Sequence, residues 1–135
     1  MSMRTYITYG YGISLEKLNP SSLKKFIYDN EKHRMAYSDE ELDDMIQNFE
    51  EGDLCDALEV ISEIIYSRYD VRIDCEPGQA DLSSPALILV DSSPWNFTDK
   101  ERSFTRADYD KIFLEVAGEL GLDEEPDSIE VEYFG

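Results

Sequence analysis

Between Met35 and Ser67, two apolar stripes at helical spacing run through a stretch that holds eleven carboxylates and not one lysine or arginine. The first stripe is Leu42, Met45, Ile46 and Phe49, the i, i+3, i+4, i+7 pattern of a helix that buries one face. Ser38-Asp39-Glu40-Glu41 ahead of it is a capping box, and acids in a first turn suit the positive end of the helix dipole. Gly52 stops this helix and Asp53 opens the next. Its stripe is Leu54, Leu58, Ile61 and Ile65, widened by Cys55, Ala57 and Ile64. So short a link predicts two helices packed as a hairpin or at a sharp angle. Their outward faces carry nearly all of Asp39, Glu40, Glu41, Asp43, Asp44, Glu50, Glu51, Asp53, Asp56, Glu59 and Glu63. Like charges at this density repel one another in the compact state, so the pattern works against folding and invites a functional reason.

The remaining chain must supply a layer for these helices to pack on. Arg4 to Ile13 alternates, with Ile7, Tyr9, Tyr11 and Ile13 on one side, which predicts a strand. Gly10 and Gly12 leave its other side bare, as for close packing, a bend or a bulge. Asn19-Pro20-Ser21-Ser22 is a helix start, and the helix through Leu23, Phe26 and Ile27 is expected to end near Asn30. This is the chain's basic region: Arg4, Lys17, Lys24, Lys25, Lys32 and Arg34 stand against Glu16, Asp29 and Glu31. It is expected to pair with the acidic helices or with a second protomer, in a homodimer.

Val71 to Cys75 reads as a short strand, and the continuous apolar run Ala86 to Val90 as a central one. Ser92 to Phe97 then leaves the sheet and displays Trp95 and Phe97 on a loop. Thr105 caps a helix whose Tyr109, Ile112, Phe113, Val116, Ala117 and Leu120 face inward, and Gly121 ends it. Ile129 to Phe134 alternates again as a last strand. The order β-α-α-α-β-β-α-β predicts an α+β fold, a mostly antiparallel four-stranded sheet with three or four helices packed on one face. At 135 residues the chain is expected to be a single domain, 1–135, able to bury a core without staples.

Composition narrows the function. A formal charge of −19 would suit a disordered chain, but 41% apolar and 12% aromatic residues argue for a folded one. Cys55 and Cys75 are too few for a disulfide framework and match no zinc spacing. Both read as buried free thiols, which favours a reducing, cytoplasmic setting. No apolar run approaches the roughly 20 residues of a membrane span, and the N-terminus leads into a strand pattern rather than a signal peptide. A surface this acidic is repelled by DNA, RNA and anionic lipid. The partner that charge selects is a basic protein.

With 31 acids, close carboxylate pairs arise without any selection for catalysis. Asp39-Glu40-Glu41-Leu42-Asp43-Asp44 lacks the glycine of a calcium loop and carries helix signals instead. Ser92 and Ser93 sit in no Gly-x-Ser-x-Gly elbow, His33 has no second histidine, and Gly10-Tyr11-Gly12 lacks the third glycine of a dinucleotide loop. The nine tyrosines read as core and sheet packing. No catalytic residue, cofactor or metal site is expected, and the chain does not read as an enzyme.

A charge run is most simply a solvated face. Three features favour more than that here. The acids are segregated from lysine, which forgoes the i,i+4 salt bridges of ordinary surface helices. The excess far exceeds the about 2–8 charges that keep a small domain soluble. Helices with apolar backs also hold carboxylates at fixed spacing, as a nucleic-acid backbone holds phosphates. The expected contact surface is Asp39, Glu40, Asp43, Asp44, Glu50, Glu51, Asp56 and Glu59, with Trp95 and Phe97 as anchors. The alternative is an interaction or adaptor protein that binds through the aromatic patch at Trp95, its acids giving solubility alone.

Three segments, Thr5 to Ile13, Pro94 to Glu101 and Ile129 to Gly135, resemble small proteins of bacterial phages and mobile elements. In size and acidity the chain is also similar to anti-CRISPR proteins, several of which block a Cas effector by imitating DNA. The resemblance implies a non-enzymatic inhibitor that fills the basic groove of a nucleic-acid-handling protein such as a CRISPR effector. It assigns a role to no individual residue.

Overall fold

A computed structural model of the chain describes residues 5–33, 37–76, 85–90, 101 and 103–134. In chain order the elements are β1 (Thr5–Ser14), α1 (Pro20–Asp29), a 3-10 turn (Glu31–His33), α2 (Asp39–Glu50), α3 (Cys55–Tyr69), β2 (Asp74–Glu76), β3 (Ala86–Val90), α4 (Arg106–Glu119) and β4 (Asp127–Phe134). The class is α+β. The strands pair in the order β2-β3-β1-β4, each pairing antiparallel.

Register decides which residues meet the helices. Tyr11 lies opposite Leu89 and Ser128, Ile13 opposite Leu87, and Cys75 also opposite Leu87. Directly opposed residues point the same way, so Tyr11, Ile13 and Cys75 share one face. That face meets the helices: Tyr11 stands edge-on to Phe113 of α4 at 6.1 Å, Ile13 is fully buried in the core, and Cys75 packs against it.

Helices α1, α2 and α4 begin where a side chain can take an orphan backbone donor. Asn19 accepts from the Ser22 N–H ahead of α1, and Ser38 and Thr105 form full capping boxes with Glu41 and Asp108. Leu23, Phe26 and Ile27 of α1 and Leu42 and Ile46 of α2 are buried, while Met45 and Phe49 pack half-buried against the same core. At the centre is α3, which buries Ala57, Leu58, Val60, Ile61, Ile64 and Ile65. Each large apolar side chain so enclosed is worth about 1.5–3 kcal/mol relative to exposure. Gly52 (φ +99°) and Gly121 (φ +71°) stop α2 and α4 in the left-handed region, where a side chain is disfavoured. At Gly121 an added Cβ would also lie 2.9 Å from Ser22 Oγ.

Three expectations need correction. The cap of α3 is Leu54, without a side-chain hydrogen bond, so Asp53 does not open this helix. The strand expected at Val71 to Cys75 lies at Asp74–Glu76 instead. Val71 and Ile73 are buried in the core, and the Arg72 N–H is taken by the Glu101 carboxylate at 3.0 Å rather than by a strand. Both cysteines are free, but Cys55 is exposed and only Cys75 is partly covered. The first turn of α3 turns Cys55 outward. Trp95 and Phe97 lie outside the described residues. Among those described, no helix is long and apolar enough to cross a membrane.

Candidate functional site

The acids of α2 are set by its cap and its buried stripe. Because Leu42 and Ile46 face the core, the helical period turns Glu40, Asp44 and Glu51 to the opposite side at i, i+4 and i+11. Asp39, Asp43 and Glu50 fall together on one flank. All eight acids expected at the site, Asp39, Glu40, Asp43, Asp44, Glu50, Glu51, Asp56 and Glu59, are exposed. At about 1.5 Å per residue, Glu40 and Asp44 stand about 6 Å apart along the axis.

The flank of α2 faces α1. Asp43 accepts a hydrogen bond from the Tyr28 hydroxyl at 3.2 Å and lies 3.8 Å from Lys24 Nζ. Both ends of that ion pair are more than half exposed, so it contributes at most about 1 kcal/mol. The basic segment thus meets the acidic helix at Lys24, within the same chain.

On α3 the acids gather around a tyrosine. The Tyr37 hydroxyl donates to Glu63 Oε2 at 2.9 Å. Burial, that hydrogen bond and the negative charges of Glu63, Glu59 and Asp56 push its pKa up to about 12. Asp56, Glu59 and Glu63 therefore share one neighbourhood, next to the residue that leads into the cap of α2. The structure brings the expected acids into two groups, a line on α2 and a cluster on α3, and the two helices pack on each other.

Tyr37, Tyr28 and Glu63 were missing from the expected surface. The signal available was weak: Tyr37 directly precedes the capping Ser38, and Glu63 was counted among the acids without a role. Thiols and carboxylates also meet between α3 and β2, where Cys55, Leu58, Glu59, Ser62, Asp74, Cys75 and Glu76 line a cleft of about 340 Å³. Burial pushes the Cys75 thiol up to about 12, which keeps it protonated and unreactive near neutral pH. The His33 ring is elsewhere, its Nδ1 3.1 Å from Ser67 Oγ. Among the described residues, no group of three or more His, Cys, Asp or Glu side chains is placed to hold a metal ion.

On the far side of α3 and α4, charge is compensated locally. Arg68 Nη1 reaches both carboxylate oxygens of Glu119, at 2.8 and 2.6 Å, and the Tyr69 hydroxyl donates to Glu115 at 2.7 Å. The acids of α2 and the start of α3 have no lysine or arginine in their own segment to do the same. No protein-family model, curated protein or solved structure matches the chain.

Proposed function

We propose that the chain is a non-enzymatic inhibitor that imitates a nucleic-acid backbone and occupies the basic groove of a nucleic-acid-handling protein in the cytoplasm, a CRISPR effector being the target class its size and acidity suit. The observation that carries this reading is the acidity of α2 as a whole. The 12 residues of the helix include six acids, all exposed, over about 18 Å of axis. One DNA strand places about five phosphates in that length, at about 3.4 Å each. The charge is held on a capped helix, so its spacing is fixed before a partner arrives. A preset negative surface favours fast, steered association with a basic groove.

The test is capture of partners from a bacterial lysate at low salt, followed by a salt gradient. A basic nucleic-acid enzyme that elutes at moderate salt, and that DNA or RNA displaces, supports mimicry. A partner that resists salt and ignores nucleic acid overturns it in favour of an adaptor that binds through apolar contacts.

A further inference from the structure

A second feature lies away from the acidic helices, where the first turn of α4 leans over the pair β1–β4. Arg106, Tyr109, Asp110 and Phe113 fall at i, i+3, i+4 and i+7 of α4, one side of a helix. Phe113 at the end of that line meets Tyr11 of β1 edge-on, so the line is laid over Tyr11. Ser128 and Asp127 of β4 are the register partners of Tyr11 and Gly12. Between these elements Tyr11, Arg106, Tyr109 and Ser128 line a cleft of about 370 Å³.

One wall of the cleft is itself a cation laid on a ring. The Arg106 guanidinium carbon lies 4.4 Å from the centroid of the Tyr11 ring, within the range of a cation–π contact. The Tyr11 hydroxyl donates to Asp110 Oδ1 at 2.6 Å, which fixes the ring and places a carboxylate beside its edge. Tyr109 is backed by Phe104, ring centroids 5.2 Å apart. A hydrogen bond with Tyr11, together with the charges of Asp110 and Asp127, raises the pKa of Arg106 above its ordinary value.

These contacts select the sign of a ligand. An anion drawn by Arg106 would stand beside Asp110 and Asp127, in the field of a chain carrying −19 charges. The phenolic hydrogen of Tyr11 is already given to Asp110. A planar cation finds two aromatic rings and two carboxylates, the surroundings in which Arg106 itself is found. Arg106 is exposed and can leave for water without unpacking the core.

We propose that this cleft is a recognition site for a guanidinium group, an arginine side chain offered by a partner, which enters by displacing Arg106 from the face of Tyr11. A guanidinium fits better than an ammonium because it is flat and weakly hydrated, and so stacks on a ring. Arg106 then acts as a competitor built into the chain, lowering the site's apparent affinity by the fraction of time it occupies the ring.

The experiment is a titration of the full chain with N-acetyl-arginine amide, followed through the ring signals of Tyr11 and Tyr109 by NMR, for the natural chain, Arg106→Ala and Arg106→Gln. Removal of the competitor is expected to tighten binding roughly three- to fivefold, the worth of one exposed cation–π contact. Asp110→Asn is expected to weaken it, and the lysine analogue to bind less well than arginine. Unchanged or weaker arginine binding in both Arg106 variants overturns the proposal. So does a shift of the same rings by inorganic phosphate that disappears with Arg106, since that marks an anion site. Because the gain on removing Arg106 is a local comparison, the two readings separate: charge reversal on α2 should leave the Arg106-dependent tightening in place even if it abolishes binding to a nucleic-acid enzyme.

Discussion

Arg72 and Glu101 are joined twice over, once through the side chain and once through the backbone. The guanidinium donates from Nη2 to Glu101 Oε1 at 2.8 Å and from Nε to Oε2 at 3.1 Å, and the Arg72 N–H donates to Oε2 at 3.0 Å. The Glu101 side chain is 4% exposed and that of Arg72 48%, so the two ends of the pair are unequal. Loss of the exposed partner leaves a buried carboxylate without its guanidinium, while Glu101→Gln keeps an acceptor for the backbone N–H and removes the buried charge. Arg72→Ala is therefore expected to destabilise the chain more than Glu101→Gln, the latter costing about 1–2 kcal/mol. Urea unfolding of the two variants checks the order. Equal costs would mean that the backbone hydrogen bond dominates.

The acids of α2 are expected to cost stability while they serve binding. Glu50 lies in the last turn, which has no base, so its charge faces the negative end of the helix dipole. Glu50→Lys should raise stability by about 0.5 kcal/mol. Combined reversal of Glu40, Asp44 and Glu51 to lysine should leave the helical circular dichroism intact and weaken partner binding by about a hundredfold or more. A triple variant that binds normally would remove the mimicry reading.

Tyr37 gives a pH dependence with a defined sign. Its folded pKa, up to about 12, lies above the ordinary value of 10.0. The neutral phenol is thus favoured by folding: the stabilisation is complete below pH 10 and is lost as pH rises toward 12. Tyr37→Phe removes the hydrogen bond to Glu63 and should cost about 1 kcal/mol near neutral pH. The gap between variant and natural chain should close across pH 10 to 12. Thermal melts across that range decide it, and a constant gap would refute the assignment.

The two thiols should separate cleanly in reactivity. Cys55 is exposed and Cys75 is held protonated by burial. Iodoacetamide at pH 8 should label Cys55 in the folded chain and reach Cys75 only after denaturant is added. Peptide mass mapping reads both sites, and equal labelling in the folded state would contradict the burial of the Cys75 thiol.

What the sequence disclosed was what neighbours along the chain decide. The box at Ser38 and the cap at Thr105 were legible because a helix start is written in adjacent residues, and the stripe of α2 because its period is local. The error at Cys55 came from extending an apolar stripe into a first turn that faces water. The shift of β2 had a longer-range cause. Arg72 looks like a strand residue until Glu101, 29 residues on, takes its N–H, and no local pattern reports that partner. The acids on α2 and α3 were all found by counting charges, whereas the role of Tyr37 among them and the approach of Arg106 to Tyr11 depend on packing between elements.

Ser62 has a consequence for how the molecule meets its own copies. Its hydroxyl donates to the Ile73 carbonyl at 3.0 Å and accepts from the Cys75 N–H at 3.0 Å. A passing β-segment would need those same two backbone groups to zip onto this margin of the sheet. A helix side chain already stands in for that missing neighbour, so growth of the sheet past β2 would first require α3 to be lifted away. One serine thus works as a guard against strand-by-strand aggregation at this margin, and it does so without adding to the charge.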